Sequence, residues 1–309
     1  IVAAGPAQEV LKAHPDVTPT DYSGELIVPG FIDVHLHYAQ SRIIGSFGRQ
    51  LLEWLQTYTF PEELKFRGLG YAREVAELFF QILLSCGTTT VQSFATTHPN
   101  SVIAFFDEAH KLGVQALCGL TGIDREGTAP DAYRDTPQGF YDGSKELIDQ
   151  YHGKGRCGYS ISPRFAFGST TEQLEKARQL AHEHPDLWIQ THLSENPAEI
   201  TSVLEFFPDC RDYLEVYEKF ELVRPRFVAG HSIYLSEDEF RRMGEKGGSI
   251  AFCPASNLFL GSGFFQWDRA NHHKVRWGLG CDSGGGNTLS LLRTLDDGYK
   301  VGMLQVVTT

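Results

Sequence analysis

The stretch VPGFIDVHLH at residues 28–37 decides how the chain is read. It is a short apolar strand, entered through a Pro-Gly turn and ending in His35 and His37. In a strand, side chains at i and i+2 lie on one face, with Cα atoms about 6–7 Å apart. Two imidazoles in that relation can reach one transition-metal ion, whereas a helix needs i, i+4. Two histidines at a strand end can also be ordinary residues. The choice rests on whether the rest of the chain supplies further ligands in matching places.

The chain has 309 residues, a net charge of −12 and 41% hydrophobic content. That length supports one large core or two smaller ones. No apolar run approaches the ~18 residues of a membrane span. The acidic balance argues against binding nucleic acid or an anionic membrane, which needs a basic face. It is compatible with an uncharged or cationic small substrate. The six cysteines (86, 118, 157, 210, 253 and 281) form no CxxC pair and mostly lie in or beside apolar runs. Reduced core thiols and a cytoplasmic location are expected. Residue 1 is Ile rather than Met, so a natural start further upstream is expected.

Outward from 28–37, the pattern alternates. Strand-like runs rich in β-branched residues fall at 87–94, 114–120, 157–162, 187–191, 226–230, 249–253 and 275–281. Helical periodicity covers 69–85, 100–112, 139–151, 171–184, 197–220, 236–245 and 289–304. Asn100 is an N-cap candidate, and TTEQ at 170–173 resembles a capping box. The connection 254–274 reads more as loop than helix. Eight strands alternating with helices fit an α/β fold of the (β/α)8 TIM-barrel kind at 29–309, whose usual size is about 250 residues. A doubly wound open sheet is the runner-up, but no GxGxxG follows the first strand. Residues 1–28, with apolar pieces at 1–4 and 25–28, are expected to be a partial β-sandwich segment.

Barrel enzymes place their chemistry at the C-terminal ends of the strands. The first strand ends in His35 and His37, the fifth is followed by His192, the sixth by His231 and the eighth by Asp282. Five metal-binding side chains therefore fall on one rim from four strands. Of the other histidines, His14, His110, His152, His182 and His184 lie in loops or helices, His272 and His273 precede the eighth strand, and His98 is ambiguous. Such a donor set suits Zn2+, with Fe2+ also compatible. The fourth strand ends in SISPR (160–164), without the bridging Lys or Glu of a two-metal site, so one ion is expected. Whether His231 binds the ion or a hydroxide stays open at this level.

Glu195, three residues past His192, is the candidate general acid-base. As a helix N-terminal Glu it can instead serve the local dipole. Asp282 can accept a proton from an activated water. Arg164 can donate to a carbonyl, Phe165 can stack on a planar ring, and Gln40 offers both a donor and an acceptor. The glycines at 284–286 lack the Lys-Ser/Thr of a phosphate loop and read as a flexible loop.

These residues resemble the amidohydrolase superfamily, to which the PGFIDxHxH opening is specific. Within it, LLEWLQTYTFPEE (51–63), CGTTTV (86–91), PRF (163–165), HLSE (192–195), PASNLFLGSG (254–263) and CDSGGG (281–286) look like the guanine deaminases. The resemblance spans about 25–305. It implies zinc on His35, His37, His192 and Asp282. It also implies guanine contacts from Gln40, Arg164 and Phe165, with Glu195, His231 and Asp282 in catalysis. The reaction so implied is hydrolysis of guanine to xanthine and ammonia by a metal-activated hydroxide, in a homodimeric enzyme of purine catabolism. Another amino-heterocycle (oxidised guanine, a pterin or a triazine) is the alternative substrate, and a non-catalytic scaffold on the same barrel is a third reading. That family also carries a β-sandwich built from both sides of the barrel, of which 1–28 is expected to be part.

Overall fold

The computed structural model describes residues 1–47 and 50–308. Two units are present, 1–30 and 31–309. The first contains one helix, Ala7–Ala13, with no buried residue. The strands expected at 1–4 and 25–28 are not formed. A strand needs a backbone partner, and no second strand among the described residues of this unit offers one.

The second unit is a barrel of parallel strands. They are β1 (Phe31–His37), β2 (Thr88–Phe94), β3 (Gln115–Gly119), a two-residue continuation β4 (Thr121–Gly122), β5 (Cys157–Pro163), β6 (Trp188–Leu193), β7 (Phe227–His231), β8 (Ser249–Phe252) and β9 (Arg276–Leu279). They pair in the order β1-β2-β3-β5-β6-β7-β8-β9, with β4 on β5. Every expected barrel strand is present to within three residues at each end. The first begins at Phe31 because its N–H is the first to find a sheet-side acceptor, Gly87 O.

Helices cover the outside. Leu69–Ser85 buries Ala72, Val75, Ala76, Phe79, Phe80 and Leu83, the one-sided stripe of a core-facing helix. Phe79 and Phe80 pack with Phe105 of the helix Pro99–Leu112. That helix starts before Asn100, whose side chain instead donates to Arg67 O. Thr170 does cap Thr171–Glu183 by accepting from Gln173 N. The capping box is not completed, because the Gln173 side chain bonds Ser169 and Asp135.

Two expectations are corrected. The run 197–220 is two helices, Pro197–Phe206 and Tyr213–Lys219. Pro208 has no N–H to continue the first and disfavours helical backbone at Phe207, which sits at φ −125°, ψ 64°. The connection 254–274 contains two short helices, Pro254–Phe259 and Trp267–His272. Each is too short for its periodicity to stand out in the sequence.

β9 and β1 meet at a seam without ladder pairing. It is held by the Asp33 carboxylate, which accepts from Cys281 N at 3.2 Å, and by Asp282 N donating to His35 O at 3.0 Å. Asp33 also accepts from His35 N at 3.2 Å. Burial pushes its carboxyl up to about 7 against these hydrogen bonds. Asp33→Ala leaves two buried N–H groups without that acceptor. We expect it to lower the unfolding free energy by roughly 1–3 kcal/mol, read as a lower urea midpoint; an unchanged midpoint contradicts this role for Asp33.

Candidate metal centre and substrate cavity

The strand ends bring together every residue expected on the rim. His35, His192, His231 and Asp282 offer ligand atoms within 4.8 Å of one another, and all four are buried. His37 stands beside them: its Nε2 is 3.0 Å from His192 Nε2 and 3.5 Å from Asp282 Oδ1. His35 Nε2 is also 3.5 Å from Asp282 Oδ1.

Backbone geometry aims these groups. Ser194, His231, Ser232 and Asp282 all have positive φ, between 45° and 64°. Non-glycine residues rarely adopt this left-handed region, and such strain concentrates at functional sites. Gly230 clears the space for a ligand, since a Cβ there would lie 2.7 Å from the His35 ring.

The hydrogen-bond pattern fits an ion. His192 Nδ1 lies 2.6 Å from Arg164 O. A carbonyl can only accept, so Nδ1 carries the proton and Nε2 presents a lone pair. His231 Nδ1 is held the same way by Asn257 Oδ1 at 2.8 Å. Neither ring nitrogen of His35 has a hydrogen-bond partner, nor has His37 Nδ1. Two ligands of one ion at 2.0–2.1 Å, subtending roughly a right angle, stand about 3 Å apart, as His37 and His192 do. Burial lowers the pKa of His35 and, further, those of His37 and His192. Neutral imidazoles are the form that binds metal. Burial alone would push Asp282 up; the surrounding His35, His231 and His37 side chains outweigh it and hold the carboxyl well below its usual range. The other His/Glu grouping among the described residues, Glu237 with His272 and His273, lies at the surface, where His273 is hydrogen-bonded to Glu237 at 2.6 Å.

Glu195 sits above this cluster. Its Oε2 is 3.4 Å from His231 Nε2, and its Oε1 accepts from Ser262 Oγ at 3.3 Å. Burial, before any neighbouring charge, pushes its carboxyl up to about 7. It lies one residue before Asn196, the N-cap of a helix closed by a capping box with Glu199. Glu199 also accepts from Glu195 N at 3.1 Å and from Tyr213 Oη at 2.7 Å.

A cavity opens over the cluster, lined by His37, Gln40, Arg164, Phe165, His192, Glu195, His231 and Asp282, and walled by Leu51, Trp54, Leu55 and Leu260. Leu51, Trp54 and Leu55 of that wall belong to a helical run that passes through a π turn at Leu55–Thr59 just before Pro61, and Leu260 closes the helix Pro254–Phe259. Pro61 has no N–H for the preceding turn, and π turns recur at functional sites. The 284–286 glycines are not a free loop. Gly286 N donates to Asp282 O at 2.6 Å, and a Cβ on Gly284, where φ is +112°, would lie 1.9 Å from Gln40 Oε1.

Several contributors went unrecognised in the sequence: Asp33 at the seam, Asn257 behind His231, Ser262 on Glu195, and Glu63. Glu63 is fully buried and bonds both Gln40 and Arg164. Its one signal was its place at the end of the motif LLEWLQTYTFPEE (51–63).

Residues 26–306 match the Amidohydrolase family, and the chain belongs to that family. It is 47% identical over 285 residues to guanine deaminase of Escherichia coli (strain K12), covering 92% of this chain and 64% of that protein. The crystal structure of guanine deaminase from Bradyrhizobium japonicum superposes with a TM-score of 0.95 at 51% identity, over 97% of this chain and 65% of that one. A third relative, guanine deaminase from C. acetobutylicum with guanine bound in its active site, gives a TM-score of 0.87 at 30% identity, over 94% of this chain and 71% of that one. The chain thus spans less than two thirds of the length of the first two.

Gly284→Ala should displace Gln40 while leaving the ligand side chains in place. We expect metal content by mass spectrometry to match the parent protein and the substrate KM to rise at least ~10-fold, as for one misplaced polar contact. An unchanged KM contradicts the packing role of Gly284.

Proposed function

We propose that this chain carries the active site of a hydrolase that deaminates guanine to xanthine and ammonia, with one zinc ion per chain. The observation that carries the reading is a buried cluster of four histidines and an aspartate with a protonatable glutamate above it, under a cavity walled by Phe165, Arg164 and Gln40. The likeness to guanine deaminases, one of them with guanine bound, supports the choice of substrate.

His35, His37, His192 and Asp282 would hold the ion, with His231 beside it. A divalent ion there supplies Lewis acidity and makes water a competent nucleophile near neutral pH. The N/O donor set suits Zn2+, and Fe2+ is chemically compatible.

The protein's own residues do the rest. Phe165 stacks on the purine plane, and Arg164 and Gln40 hydrogen-bond its polar edge. As water adds at C2, Glu195 takes one of its protons and passes it to the adjacent ring nitrogen. Asp282 takes up the proton of the added hydroxyl as the C2–N bond breaks, and that proton passes through Glu195 to the departing amine, which leaves both carboxyls as they began. Guanine and water are consumed; xanthine and ammonia leave. His231, oriented by Asn257, turns its Nε2 toward the site, where the Glu195 and Asp282 carboxylates outweigh burial and raise its pKa. A homodimer is the assembly that the resemblance favours, and the free, mostly buried cysteines favour a cytoplasmic location.

Purified protein should release ammonia from guanine and stop when a chelator strips the metal. No release from fully metal-loaded protein overturns the reading. Glu195→Gln should retain its metal and lose roughly 10²–10⁴ in kcat; a near-parental rate removes Glu195 from the proton path.

A further inference from the structure

Glu63 takes no part in the reaction as set out above, yet it is the most fully engaged carboxylate beside the cavity. Its side chain is completely buried. Oε1 accepts from Gln40 Nε2 at 2.7 Å. Arg164 Nη1 donates to both of its oxygens, at 3.3 and 3.2 Å. The Tyr133 hydroxyl donates to Oε2.

A carboxylate facing a guanidinium only accepts. The Gln40 amide must therefore turn its NH2 toward Glu63 and its carbonyl oxygen away. That oxygen is buried and has no protein partner, while Gln40 and Arg164 both line the cavity. Gly284 packs directly behind it and leaves no room for a side chain. Arg164 commits Nη1 to Glu63 and keeps its other N–H groups as donors, since guanidinium has no acceptor.

We propose that Glu63 is a positioning residue that sets the hydrogen-bond polarity of the substrate cavity, leaving a fixed acceptor at Gln40 Oε1 beside a fixed donor at Arg164. The ring edge that matches is a lactam, a carbonyl oxygen next to a ring N–H, as in a 6-oxopurine. An aminopurine seated the same way would turn an amine toward the guanidinium and a bare ring nitrogen toward the amide oxygen. A site built around a hydrogen bond discriminates strongly against a ligand that leaves its buried groups unpaired. The choice of a purine rests on the guanine reading; the polarity argument rests on the Glu63 contacts.

The test is calorimetric binding of hypoxanthine (oxo, ring N–H) and adenine (amine, ring lone pair) to the metal-loaded protein, with kcat/KM for guanine and 2,6-diaminopurine alongside. The parent protein should prefer hypoxanthine by at least ~10-fold, and equal binding of the two overturns the proposal without any variant. Glu63→Gln lets the Gln40 amide turn over. It should cut the preference at least ~10-fold and raise the guanine KM far more than it lowers kcat, with metal content unchanged. Glu63→Asp, which keeps an acceptor-only partner, should recover part of the preference. A folded, metal-loaded Glu63→Gln protein with the parental preference also overturns the proposal. Absence of ammonia release from guanine, with the hypoxanthine preference intact, would instead strike only the guanine reading.

Discussion

The site depends on closing the barrel between its first and last strands. β1 carries His35 and His37, and the residues just past β9 carry Asp282. No ladder joins these strands, and hydrogen bonds hold the proposed ligands together instead: Cys281 N to the Asp33 carboxylate, Asp282 N to His35 O and Ser283 Oγ to His37 O. Asp33 is buried and its carboxyl is pushed up to about 7. A buried acid of that kind persists where its oxygens are engaged. Here they tie the backbone of one ligand-bearing segment to that of another.

Around that seam the chemistry divides into layers. Arg164 O and Asn257 Oδ1 fix which nitrogen of His192 and His231 carries a proton, as partners of metal-ligating histidines commonly do. Glu195 lies above, on the turn leading into a capped helix, so its backbone is anchored by Glu199. Gln40, Arg164 and Phe165 lie at the side and share Glu63 as a common support for the first two. Low-dielectric surroundings strengthen each of these polar contacts and make an unpaired one costly. Removing a support should therefore cost more than the single bond it supplies.

Much of this was legible from strand ends. Each βα unit of a barrel delivers the residue after its strand to the same rim, so His35, His37, His192, His231 and Asp282 could be assembled from local patterns alone. The barrel order follows from the same alternation. What stayed hidden depends on distance in space. Glu63 reaches Arg164 across 101 residues and Asp33 reaches Cys281 across 248, and no periodicity encodes such pairings. The glycines at 284–286 looked like freedom and turned out to be close packing against Gln40 and Asp282. The break at Pro208 was readable in principle, but apolar residues on both sides kept the helical pattern running through it.

The central claim is that these strand ends form one mononuclear site with nitrogen and oxygen donors only. X-ray absorption at the metal edge of the loaded protein tests it most directly. The predicted first shell contains N/O scatterers near 2.0–2.1 Å and no metal–metal vector. A sulfur shell near 2.3 Å, or a second metal at about 3.5–4 Å, would contradict it.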